Sequence, residues 1–144
     1  MAYNSFDIAN KILQKGAQSD CGELISNLKL QKLLYYMQGF HLAFFETPLF
    51  DDDIFAWQYG PVVPEVYFKY KQNGNSGIES EGNIIELDDK EEKLFDEVFS
   101  VYGEYSAIGL MNLTHEESPW KDTPLGERIG KDKMTEFFKT RIIS

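Results

Sequence analysis

Cysteine is almost absent. Cys21 is the only one, so no intrachain disulfide can form, and the chain suits a reducing, cytoplasmic setting. Histidine is scarce too, limited to His41 and His115. Those two and Cys21 fit no compact zinc spacing, so neither a metal nor another cofactor is expected. Lys and Arg number 14 against 24 Asp and Glu, and the basic residues are scattered rather than grouped. A net charge of -10 repels a phosphate backbone and an anionic membrane surface, so nucleic acid and membrane are not expected partners and basic proteins are favoured. Long apolar runs are missing as well. The least charged stretch, residues 33–45, contains Gln38 and His41 and is too short to span a bilayer. The opening MAYNSFDIANKILQ reads as neither a signal peptide nor an anchor.

What is present suffices for one core. Of 144 residues, 42% are hydrophobic and 15% aromatic, and a chain of this length can bury roughly 70% of its unfolded surface without staples. Residues 1–144 are therefore read as one domain, mainly α (α+β), with about six helices and a small β-hairpin near residues 49–59. Ser5 is expected to cap a first helix carrying Phe6, Ala9, Ile12 and Leu13, with Gly16 ending it. From Ser26, an apolar stripe of Leu30, Leu33, Leu34, Met37, Phe40, His41 and Phe44 predicts the central helix, closed by Thr47 and Pro48. Asp51, Asp52 and Asp53 are read as the hairpin turn. Phe55, Trp57 and Tyr59 then alternate with Ile54, Ala56 and Gln58, the period of a strand, which Gly60 and Pro61 are expected to stop.

Pro64 suits the first position of a third helix, its missing donor being unneeded there. Residues 73–82, rich in Asn, Gly and Ser, read as loop, and residues 83–87 as a short strand. Asp89 with Glu92 resembles a capping box for a fourth helix ending at Gly103. Ser106 caps a fifth helix reaching His115, and Asp132 caps a last one that buries Met134, Phe137 and Phe138.

Two motifs stand apart, WQYGPVVP at residues 57–64 and LTHEESPW at residues 113–120. In the first, Gly60 permits a backbone excursion while Pro61 and Pro64 stiffen the exit. Trp57 and Tyr59 then either cover the core or anchor a partner, since rigid aromatics lose little entropy on binding. In the second, Pro119 and Trp120 turn the chain away after His115. That imidazole is read as a cap or core-bonded group rather than as a general base oriented by Glu116 or Glu117, because no nucleophile accompanies it. His41, on the apolar stripe, is read as bonded to backbone. The chain has no HExxH, phosphate loop, GxSxG elbow or calcium loop, and it is not expected to be an enzyme.

Taken together, SNLKLQKLLYYMQGFHLAFFETPLF, AWQYGPVVPEVY and LTHEESPW resemble the Panacea domain family, the group containing the SocA-like antitoxins and the phage-associated GepA proteins. The resemblance runs from about the first helix to Phe137 and Phe138. It implies a compact helical domain that neutralises a toxin protein by direct contact, often in a prophage setting. For the SocA-like branch it implies instead an adaptor that hands the toxin to the ClpXP protease. Trp57, Tyr59, Gly60, Pro61, His115, Pro119 and Trp120 are the candidate partner-binding residues. With no basic helix to spare, operon repression is not expected.

Overall fold

A computed structural model describes residues 2–18 and 24–142; Cys21 lies outside them. Its core is organised around one helix, α2 (Asn27–Phe45), capped by Ser26, whose hydroxyl accepts the Lys29 N–H. The predicted stripe holds from Leu30 to His41, but Phe44 is 58% exposed, and Tyr35 and Tyr36, off the stripe, are fully buried. The reason is that α2 is enclosed on nearly every side, so burial does not follow a single face.

Enclosure buries polar residues, and each clasps a neighbouring segment. Gln38 donates to the Phe50 carbonyl at 2.7 Å and accepts from the Leu49 N–H at 2.7 Å. Gln31 accepts from the Val63 N–H at 2.9 Å, and the two ring nitrogens of His41 meet the Thr47 carbonyl and Glu91 at 2.6 Å. These side chains satisfy the backbone of residues 47–63 where no helix or sheet would, which explains why a core helix carries them.

Around α2 lie α1 (Ser5–Ala17), α3 (Pro64–Tyr70), α4 (Asp89–Tyr102), α5 (Ala107–His115), the short α6 (Ser118–Lys121) and α7 (Lys131–Lys139). The described residues thus hold seven α-helices and a one-turn 3-10 helix, Lys71–Asn73, where about six were expected. α6 escaped prediction because a four-residue helix has no periodicity to read. Several boundaries shift by one or two residues. Asn4 rather than Ser5 caps α1, which runs past Gly16 to Ala17. Glu46, in the left-handed region at φ 61°, closes α2, ahead of Thr47. Asp88 rather than Asp89 caps α4, accepting from the Glu91 N–H while Glu92 accepts from the Leu87 N–H. Gly130 rather than Asp132 precedes α7, which buries Met134 and Phe138 and leaves Phe137 half-buried.

The strands correct four expectations. β1 (Ile54–Trp57), β2 (Gly60–Val62) and β3 (Arg128–Ile129) pair antiparallel in the order β2-β1-β3. The hairpin is therefore residues 54–62 rather than 49–59, with Gln58 and Tyr59 as its two-residue loop between paired Trp57 and Gly60. Gly60 and Pro61 begin the second strand instead of stopping the first. The three aspartates form no turn; Asp53 meets Lys131 at 3.2 Å and tethers the start of α7. Residues 83–87 form no strand either. Segment 81–92 is held to α1 by side chains, Asn10 exchanging two hydrogen bonds with Glu81 and Lys11 reaching the Ile85 carbonyl and Glu92.

Gly39 lets α7 pack closely on α2. A Cβ there would lie 2.1 Å from the Phe138 ring, and Phe138 is fully buried between Tyr35, Tyr36 and Phe40. Gly39→Ala is expected to cost about 3 kcal/mol in urea unfolding, since overpacking here must displace α7.

Candidate functional site

The two aromatic-proline motifs meet in space. The Trp120 indole N–H donates to the Trp57 carbonyl at 2.8 Å, joining α6 to the end of β1. His115 stacks on Trp120, with ring centroids 4.0 Å apart and an 18° interplanar angle. Gly60, at φ 113°, passes between α2 and α5, where a Cβ would meet Lys32 Cε at 2.5 Å and Thr114 Oγ1 at 2.9 Å. Both the positive φ and the close approach require glycine. The Pro61 carbonyl accepts from Lys32 Nζ at 3.2 Å, and that of buried Pro119 accepts from Thr123 at 2.7 Å. All seven sequence candidates thus fall on one braced corner. Trp120→Ala removes the bond to Trp57 and the platform under His115, and is expected to cost about 3 kcal/mol of stability in thermal unfolding.

The outer side of this corner is aromatic. Along β1, Ile54 and Ala56 face the core, while Phe55 and Trp57 are half-buried and Tyr59 is 58% exposed. The aromatic face of the strand is therefore its outer face. Trp57 packs edge-on against Tyr67 at 5.2 Å and Phe68 at 6.1 Å, and Phe68 and Ile108 lie more than half exposed. Between Trp57 and Ile108 opens a cavity of about 460 Å³, lined also by Tyr59, Tyr67, Met111 and Lys32 among others.

Lys32 was missed by sequence reasoning. It is fully buried, and burial alone lowers its pKa to about 7. The signal was a lysine set between Leu30 and Leu33 of the apolar stripe. Beside it, His115 has its pKa lowered by burial and then by Lys32, partly offset by the Gln58 backbone. Its buried Nε2 has no hydrogen-bond partner among the described residues.

Glu117 does not orient His115. It turns inward, 6% exposed, and accepts hydrogen bonds from the Tyr35 and Tyr36 hydroxyls at 3.0 and 2.9 Å. Burial raises its pKa to about 7 against the opposing effect of those two bonds. Tyr36 stacks in turn on Tyr102 at 4.1 Å, so this carboxyl anchors α6 to α2. The paired histidine and glutamate that a general base would need are thus separated, and Glu116 is exposed. Among the described residues no group of three or more His, Cys, Asp or Glu could hold a metal ion. No helix among them is long and apolar enough to cross a membrane.

The site coincides with what this chain shares with known proteins. Antitoxin SocA of Caulobacter vibrioides (strain NA1000 / CB15N) is 45% identical over 67 residues, 46% of this chain and 35% of that relative. The match thus spans about a third of the relative's length. No solved structure matches. The family profile covers residues 30–121, narrower than the whole-chain resemblance expected, with α1 and α7 outside it. It takes in most of α2, both motifs and the corner they build, and on that match this chain belongs to the Antitoxin SocA-like, Panacea domain family.

Proposed function

We propose that this chain is an antitoxin that neutralises a cognate toxin by direct protein contact, using the braced corner of Trp57, Tyr59 and their neighbours. The observation that carries this reading is the exposed apolar face, aromatic Tyr59 and Phe68 with aliphatic Ile108, set on a rigid mount inside the segment that defines the family. Exposed aromatics on a fixed backbone lose little entropy on docking and commonly dominate interface energetics. The partner is basic, because a net charge of -10 speeds encounter with a cationic surface and disfavours acidic ones.

Co-expression with the product of an adjacent gene tests the reading. A neighbour that is toxic alone, harmless with this chain and co-purified with it is the expected result. If no neighbour is toxic, the reading fails. A toxin whose abundance falls only while ClpXP is active would replace sequestration with delivery to the protease. Tyr59→Ala is expected to weaken the complex at least tenfold by titration calorimetry. Its melting temperature should match the parent, because the Tyr59 side chain is mostly in solvent.

A further inference from the structure

A second apolar surface lies between α4 and the end of α7. α2 forms its floor, where the Phe40 ring meets Tyr102 of α4 at 5.7 Å on one side and Phe138 of α7 at 4.8 Å on the other. Over this floor runs a groove of about 350 Å³, which shares no lining residue with the cavity beside Trp57. Phe44 and Val101 line it at 58% and 55% exposure, with Ile142 at 36%. Apolar side chains gathered in water along one groove mark a contact surface, as singly scattered ones do not.

The charges of the groove indicate what covers it. In a chain with 24 acidic and 14 basic residues, its lining carries one of each sign, Glu97 on the α4 wall and Arg141 on the wall just beyond α7. Both are exposed, and neither makes an ion pair among the described residues. A strongly cationic partner would meet Arg141 as a like charge. A second copy of this chain meets no such mismatch. Rotation by two-fold symmetry about the apolar strip sets Glu97 of each copy against Arg141 of the other, and lays Phe44, Val101 and Ile142 on their own counterparts.

We propose that this groove is the interface of a symmetric homodimer, fixed in register by two Glu97–Arg141 pairs across a shared apolar strip. The net charge of -10 opposes association at long range, but physiological salt screens such repulsion beyond about 8 Å. Pairing at contact then decides. The proposal is independent of toxin neutralisation, since it uses a different surface and its test uses this chain alone.

Sedimentation equilibrium of the full chain over a range of roughly 5 to 500 μM is the test. The mass is expected to rise with concentration from 16.6 kDa toward twice that value. Glu97→Arg and Arg141→Glu should each raise the dimer Kd at least tenfold. Glu97→Arg should do so although it makes the chain less negative and so lowers the general repulsion between copies. An equimolar mixture of these two variants is expected to dimerise again, because one brings two cations to the interface and the other two carboxylates. Val101→Glu should leave monomers with a melting temperature near the parent's, since that side chain is mostly in solvent. A parent that stays monomeric throughout, a Glu97→Arg variant that dimerises as tightly as the parent or more so, or a mixture that stays monomeric would each overturn the proposal. A dimer that survives Val101→Glu uses another face, and the assignment fails. If Val101→Glu leaves the mass profile unchanged but abolishes capture of a co-purified toxin, the groove belongs to the toxin and the homodimer is refuted.

Discussion

Lys32→Met is expected to stabilise the fold at neutral pH, by at most about 5 kcal/mol given a pKa drawn from 10.5 to about 7. Methionine fills similar space with an unbranched apolar chain and has no charge to desolvate. The loss of the bond to the Pro61 carbonyl offsets part of the gain, about 1 kcal/mol. The same substitution is expected to change how stability depends on pH. Between pH 7 and 10.5 an unfolded chain keeps the Lys32 proton while the folded chain has released it. The unfolded state then binds more protons, so stability of the parent rises with pH through that window. Chemical denaturation at pH 7, 8 and 9 checks this: the parent should gain stability stepwise, and the variant should not. Below pH 7 both states are protonated and the penalty is constant. Above pH 10 the trend reverses, because the buried phenols Tyr35 and Tyr36, with pKa values raised by burial, stay protonated only when folded.

Glu117→Ala is expected to destabilise by about 3 kcal/mol. It leaves the Tyr35 and Tyr36 hydroxyls buried without their acceptor and opens a void between α6 and α2. Glu117→Gln keeps an acceptor and the volume, so it should fall within about 1 kcal/mol of the parent at pH 7. The pair also separates charge from shape. With its pKa raised from 4.5 to about 7, Glu117 holds a proton in the folded chain between those values that the unfolded chain has lost. Stability therefore declines as pH rises from 4.5 to 7, and above 7 both states are ionised and the loss is complete. Glutamine abolishes that decline. Combined with the Lys32 limb, the parent should show a stability minimum near pH 7 in a denaturation series from pH 5 to 9. A flat profile would show that both groups are better solvated than their burial implies.

The reach of sequence reasoning can be traced residue by residue. α2 was legible as the central helix because its apolar run is long, and Pro64 and Ser106 announced their helices through local chemistry that tertiary packing did not disturb. His41 was correctly expected to bond backbone. The hairpin was misplaced because Asp51, Asp52 and Asp53 look like a turn, whereas Gly60 and Pro61 look like a break. The conformation at Gly60 is set by Lys32 and Thr114, which come from distant parts of the chain. Residues 83–87 have strand composition but join neither edge of the β2-β1-β3 sheet, being held to α1 instead, where Lys11 takes up the Ile85 carbonyl. The candidate site was half legible. Its motifs were visible as separate stretches, but the Trp120 to Trp57 bond that unites them spans 63 positions, and no local pattern encodes a contact of that range. Whether the aromatics faced core or solvent could not be read from alternation alone, because period two fixes that two faces exist and not which is wet.

The enclosure of α2 also bears on how the protein is made. Residues 27–45 leave the ribosome well before the helix that packs over Tyr35, Tyr36 and Phe40, carrying Phe138. A helix that needs cover on every side gains little from a partial chain. During elongation the side of α2 that carries Tyr35, Tyr36 and Phe40 lacks its cover, and is available to chaperones and proteases, until residues 131–139 emerge. A chain cut before residue 131 would therefore leave the Tyr35, Tyr36 and Phe40 side of α2 without its cover and open to proteolysis.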